Sequence, residues 1–382
     1  MASKGKHGGK GKGGGSKGGG GGSKGGAGAS GGAQVSTGPF KWDSWPVMPT
    51  KRVYSSAVEL DDILYVIGGS DQRGQTLDAF ECYNTKKKKW MRLLNMPNPR
   101  AQPAVVTVGS KIVVIGGVGS DAQPVNFVDI YDVEQKKWLE NVRDMDEKLQ
   151  GVSAVVHNGK VIVIGGMKGD TNPVSISMVL DIEQNIWLKL PDMPTARYAA
   201  GTFLKGDKLY LLGGRIGKKA CQAFEMLDLA SQPTPEWKIL PELPIKLVFS
   251  CYLATDTHLY RLGGLHETQR GVPPKFDDSV SQYSIEEGKW NELPNMSNKR
   301  GDFSAALVGD KLVVVGGIGP SEKPHTDAEF FDTDKNSWVF IDHCSTMRGS
   351  GTCIVYQNRM VIIGGFTPQG LTGAVDALSS TS

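Results

Sequence analysis

The chain has 382 residues, 39% of them hydrophobic, and 43 Lys and Arg against 40 Asp and Glu for a net charge of +3. That is apolar material for one large core or for two to three ordinary domains, and no uninterrupted apolar run approaches the roughly 18 residues of a membrane span. The five cysteines are odd in number, contain no Cys-x-x-Cys, and follow no apolar leader, which predicts reduced thiols in a cytoplasmic protein.

Residues 1–38 are mostly Gly, Lys and Ser. They hold six lysines (Lys4, Lys6, Lys10, Lys12, Lys17 and Lys24) and no acid, so the other 37 basic residues face 40 acids and the remainder is slightly acidic. Ordering so much glycine costs backbone entropy that no apolar burial offsets, and the segment is expected to be a disordered basic tail. A weak electrostatic contact with RNA or another polyanion is open to it. No aromatic lies among the lysines to stack on bases, however, and nucleic acid is not the expected partner.

From Phe40 onward a unit repeats seven times. A Gly-Gly pair closes a short apolar run at Gly68, Gly116, Gly165, Gly213, Gly263, Gly316 and Gly364, with spacings of 48, 49, 48, 50, 53 and 48. Trp42, Trp90, Trp138, Trp187, Trp237, Trp290 and Trp338 each precede the next pair by 26 or 27 residues. Runs rich in Val, Ile, Leu and Tyr, bounded by Gly, Pro, Asn and Asp, read as strands. Four strands of about five residues with ordinary loops fill roughly 45 residues. One unit is thus one four-stranded antiparallel sheet, and seven set radially make an all-β propeller. The tryptophans are assigned to packing between blades, and the glycines to a backbone geometry or close approach that a Cβ would forbid. After the last Gly pair one strand remains, at residues 374–378, without a Trp. Phe40-Lys41-Trp42 supplies a Trp strand with no Gly pair before it. The N-terminal strand should therefore complete the last blade, close the ring and remove its open edge. The propeller is assigned to residues 39–378, with a short end at 379–382.

The Gly pair, the aromatic seven residues before Trp (Tyr83, Tyr131, Tyr283, Phe331) and the Trp itself resemble the kelch motif. PTKRVYSSAV, PTARYAAGTFLKGDKLYLLGGR and CQAFEMLDL are similar to the kelch domain-containing protein 8 group, and the resemblance covers residues 40–378. Leu180 and Leu227 depart from the aromatic, and the basic tail departs from that group. The fold expected is a seven-bladed kelch β-propeller.

With strands lettered a to d from the channel outwards, the d–a and b–c loops share one face and the a–b and c–d turns the other. Sixteen residues before each Gly pair, at the start of strand a, stand Arg52, Arg100, Leu149, Arg197, Leu247, Arg300 and Arg348. The kelch resemblance implies that arginines at this position contact acidic peptide partners on the d–a/b–c face. Arg52, Arg100, Arg197, Arg300 and Arg348, with Tyr54 and Tyr198 beside them in sequence, are accordingly the candidate partner-binding residues. Guanidinium groups suit carboxylates because they can bind them bidentately. The alternative, arginines that serve the fold by pairing with carbonyls or neighbouring acids, stays open at this level.

Asp332, Asp334 and Asn336 open like a calcium loop, but Ser337 and His343 stand where Gly and Glu are required, so the stretch reads as a c–d turn. Lys86–Lys89 matches a nuclear-import pattern on another such turn. His157, His258, His266, His325 and His343 fall in different blades without metal-ligand spacing, and there is no Gly-x-Ser-x-Gly or phosphate loop. No catalytic residue, metal or cofactor is expected. The stretch before Phe40 is too short for a BTB domain, which argues against a self-sufficient ubiquitin-ligase adaptor. The reading is a monomeric, non-enzymatic interaction scaffold or recognition module for protein or peptide partners; the alternative is an enzyme with a channel-mouth site.

Overall fold

The computed structural model describes residues 39–267 and 272–381. The basic tail at 1–38 lies outside the described residues. Seven four-stranded antiparallel sheets account for the repeats. In blade 1, strands a to d are Ser56–Leu60, Ile63–Ile67, Phe80–Asn84 and Lys89–Arg92. Strand b is the apolar run that precedes each Gly pair. It is buried on both faces, with Leu64, Val66 and Ile67 at 0% exposure, because blades cover it from either side. That explains why it reads as continuous rather than alternating hydrophobicity.

The last blade has the order Phe40–Trp45, Val375–Ser380, Arg359–Ile363, Thr352–Tyr356. Trp42 pairs with Leu378 and Phe40 with Ser380, so the N-terminal strand is strand d of blade 7. Strand c runs to Ser380, two residues beyond the expected Leu378, because Phe40 and Lys41 provide partners for Ser380 and Ser379. Leu227 still faces Trp237, as Tyr83 faces Trp90, although ten residues separate the first pair and seven the second, so the c–d turn absorbs the difference and leaves the register intact. In blade 5 the b–c connection is shortened by its flanking strands. Strands His258–Leu265 and Phe276–Ser284 of blade 5 extend into it past an irregularity at Leu262/Gly264.

The Gly pairs are the inter-blade hinge points. Gly68 and Gly69 have φ of +61° and +105°. A Cβ on Gly68 would lie 2.4 Å from the Arg100 carbonyl of the next blade, the same oxygen that accepts from Gly69 N–H at 3.0 Å. Equivalent bonds join Gly117 to Leu149, Gly166 to Arg197, Gly264 to Arg300, Gly317 to Arg348 and Gly365 to Arg52. Such φ values and approaches select glycine. At the calcium-like stretch, Asp332 Oδ1 accepts from the Asp334 and Lys335 N–H groups, which makes it a turn. All five cysteines are free, and among the described residues no helix is long and apolar enough to cross a membrane.

Candidate interaction site at the channel mouth

The structure does not place the five arginines on an open face. Arg52, Arg100 and Arg300 are 0% exposed, Arg197 1% and Arg348 3%. Each guanidinium is enclosed in its own blade against a strand-c carboxylate. The pairs are Arg52–Glu81, Arg100–Asp129, Arg197–Glu225 at 2.7 Å, Arg300–Glu329 at 2.8 Å and Arg348–Asp376. They also clasp the Gly turn: Arg52, Arg300 and Arg348 donate to the carbonyls of Gly68, Gly316 and Gly364. Burial pulls Arg52 and Arg100 down to about 10, still charged at neutral pH. The expectation that these side chains meet a partner is therefore corrected. Buried to this degree, and each facing a carboxylate of its own blade, the guanidinium groups offer no surface to an incoming carboxylate.

The two blades that lack this arginine confirm its structural part. Blade 3 has Leu149, and Met178 at the position equivalent to Glu81, so the ion pair is replaced whole by an apolar one. Blade 5 has Leu247 and Ser281. There Arg261 from strand b is buried against the hydroxyls of Ser279 and Ser281, at 2.8 Å from each.

What rings the opening is the residue two further on. Tyr54, Gln102, Gly151, Ala199, Phe249, Asp302 and Ser350 occupy one position in the seven blades, and all have φ between +51° and +64°. Main-chain bonds link neighbours around this ring, from Gln102 N–H to Tyr54 O, Ala199 to Gly151 and Asp302 to Phe249. The left-handed turn repeats in every blade and is a property of the fold. The side chains it presents differ in every blade. Tyr54 and Phe249 are 47% and 51% exposed.

Two cavities of about 550 and 750 Å³ open here, sharing Gln102, Ala199, Arg215, Phe249 and Asp302. Arg215, directly after the blade 4 Gly pair, has its guanidinium carbon 5.7 Å from the Tyr198 ring centre and 5.2 Å from that of Phe249. Among the described residues no carboxylate forms an ion pair with it, and its Nε has no hydrogen-bond partner. Of the sequence candidates, Tyr54 and Tyr198 do line these cavities, and Tyr198 Oη donates to Gly217 O at 2.8 Å.

The smaller cavity lies at the one seam that departs from the repeat. Between blades 4 and 5 the Tyr252 hydroxyl sits against the Gly pair, where a Cβ on Gly213 would lie 2.2 Å from it, and burial pushes its pKa up to about 12. Tyr252 stands where other blades carry Ala57, Val105, Ala154, Thr202, Ala305 and Cys353. Gly201 makes room for it, since a Cβ there would lie 2.5 Å from the ring. Asp302 in the cavity wall accepts from Ser350, and burial raises its pKa above the ordinary carboxylate value.

Comparison with known proteins gives a consistent picture. The sequence profile of the KLHDC2/KLHL20/DRC7 kelch-repeats domain matches residues 19–191 and 151–365. Kelch domain-containing protein 8B of Bos taurus is 34% identical over 133 residues, 32% of this chain and 36% of that protein, as is its Homo sapiens counterpart. The match thus spans about a third of those relatives. The N-(sulfonatooxy)prop-2-enimidothioate sulfolyase of Thlaspi arvense is 28% identical over 38% of this chain and 44% of its own length. In three dimensions the chain is similar to a fungal alcohol oxidase in complex with copper, with TM-score 0.70, 16% identity and coverage of 90% of this chain and 77% of that one. It also resembles YjhT, with TM-score 0.62, 19% identity and coverage of 78% and 99%. These two likenesses concern the fold alone.

Proposed function

The chain belongs to the kelch-repeat family, and from that premise we propose that it is a non-enzymatic recognition module that takes an acidic partner segment at the channel mouth, in a cytoplasmic setting. One observation carries the reading: Arg215, a cation with no carboxylate partner among the described residues, held between the rings of Tyr198 and Phe249 over an open cavity. Aromatic and arginine side chains at the centre of a concavity are the usual anchors of protein interfaces. Tyr54 and Phe249 add support. A left-handed conformation costs a side chain about 1–2 kcal/mol that glycine avoids, so bulky aromatics at these positions need a return elsewhere. Enzymes of this fold exist among the relatives. Metal chemistry needs a clustered donor set, and among the described residues no three His, Cys, Asp or Glu side chains come together.

The test is a random-peptide display selection on the full chain. Selected sequences should be enriched in Asp and Glu, and Arg215→Ala should weaken their binding at least tenfold without moving the melting temperature. Selected peptides that bind Arg215→Ala as tightly as the parent would refute the reading.

A further inference from the structure

Seven tryptophans occupy the repeat position, and the eighth has another role. Trp45 follows Trp42 by three residues, where the other outer strands carry Leu93, Asn141, Leu190, Leu240, Leu293 and Ile341. One face of its indole lies on Tyr83 of blade 1, with ring centroids 5.1 Å apart and planes 21° from parallel. It lines a cavity of about 600 Å³ at the closure seam between blades 7 and 1, together with Lys86, Lys88 and Arg359. Lys86 bridges Asp62 at 2.8 Å, and Asp43 at the rim is bridged by Lys41 at 3.3 Å. Lys88 and Arg359 have no carboxylate partner among the described residues. Exposed Lys87 and Lys89 continue the cationic run along the turn.

We propose that this seam binds single-stranded nucleic acid, with a base on Trp45 and the backbone along Lys86–Lys89 and Arg359. A cationic track beside an aromatic plate is the arrangement that holds single strands without sequence preference, and the cavity exceeds the roughly 300 Å³ lower limit of small-ligand pockets. A phosphopeptide would use the cations and leave the indole idle. Lysine-rich residues 1–38 hold no aromatic, but they precede the strand that ends at Trp45. The fold thus supplies beside the turn lysines the stacking surface that the lysine-rich stretches lack in sequence. The seam shares no residue with the channel mouth, so either reading can fail alone.

The repeats themselves provide compatible variants. Leucine stands at the Trp45 position in four blades, and Asn185 and Asn336 hold the positive φ of Lys88 in two. The experiment measures fluorescence anisotropy of a labelled 12-nucleotide oligo(U) with the full chain across a salt series. The expected result is salt-sensitive binding that Trp45→Leu weakens about tenfold or more. The double variant Lys88→Asn with Arg359→Gln should lower the log–log salt slope by about two. Should Trp45→Leu lower the melting temperature, the slope of the double variant decides. Absence of binding overturns the proposal. So does affinity that survives both seam variants but is lost when the six tail lysines become Gln. Tight binding of a phosphoserine peptide, with none of oligo(U), would assign the seam to phosphopeptides and overturn it equally.

Discussion

The indole nitrogen of Trp42 donates to the carbonyl of Asp342 at 2.6 Å, across 300 residues of chain. The same bond runs from every repeat tryptophan to the loop of the preceding blade: Trp90 to Pro46, Trp138 to Leu94, Trp187 to Arg143, Trp237 to Pro191, Trp290 to Pro241 and Trp338 to Pro294. The closing blade is thus clasped to blade 6 as any internal blade is clasped to its neighbour. Removing residues 39–48 along with the tail should cost more than the roughly 3–5 kcal/mol of a single aromatic truncation, because a whole strand goes and the edge of strand c is bared. Trp42→Phe, which removes the donor and keeps a ring, should cost only about 1 kcal/mol. Urea unfolding of chains beginning at residue 39 and at residue 49 checks this, and equal midpoints would contradict the shared blade.

The buried ion pairs make an asymmetric prediction. Arg300→Leu alone leaves Glu329 without its counter-charge at 0% exposure and should destabilise by about 3–5 kcal/mol. Adding Glu329→Met reproduces the combination that blade 3 already uses at Leu149 and Met178, and should recover most of the loss. A double-mutant cycle by chemical denaturation measures the coupling. If the double variant is as unstable as the single, the pair is needed for more than mutual neutralisation.

How far the sequence could be read depends on what kind of signal each feature leaves. Gly68-Gly69 and Trp90 are fixed by sterics that admit few residue types, so their repetition exposed the ring, its seven blades and its closure. Arg52 was visible as a recurring residue, but its partner Glu81 lies 29 residues away on strand c. A search for acids recurring at 28 or 29 residues would have found Glu81, Asp129, Glu225, Glu329 and Asp376, and with them the structural role. Arg215 had no such signal. Its meaning comes from Tyr198 and Phe249 converging on it from two blades. The mouth ring was illegible for the opposite reason: backbone geometry repeats there while Tyr54, Gln102 and Asp302 share no chemistry.

Asp302 ties the mouth to pH. Burial raises its pKa, while the Ser350 hydroxyl works in the other direction and offsets only part of the shift. The unfolded chain releases this proton near the ordinary value of about 3.9, whereas the folded chain holds it to higher pH. Between those two values the native state binds more protons, so stability falls as pH rises, and the full penalty applies above the folded pKa. Asp302→Asn removes the charge and keeps an oxygen to accept from Ser350. It should raise the melting temperature at pH 7, and the gain should shrink towards zero below about pH 4, where the unfolded carboxylate is itself protonated. Thermal melts of both proteins across this range give the comparison. A variant that is less stable at pH 7 and equally so at pH 4 would mean that the carboxylate contributes through its hydrogen bonds rather than opposing the fold through its charge. A variant that gains stability while losing the peptides selected on the parent chain would place Asp302 in the binding surface, since a desolvated charge held against stability is a common cost of a functional site.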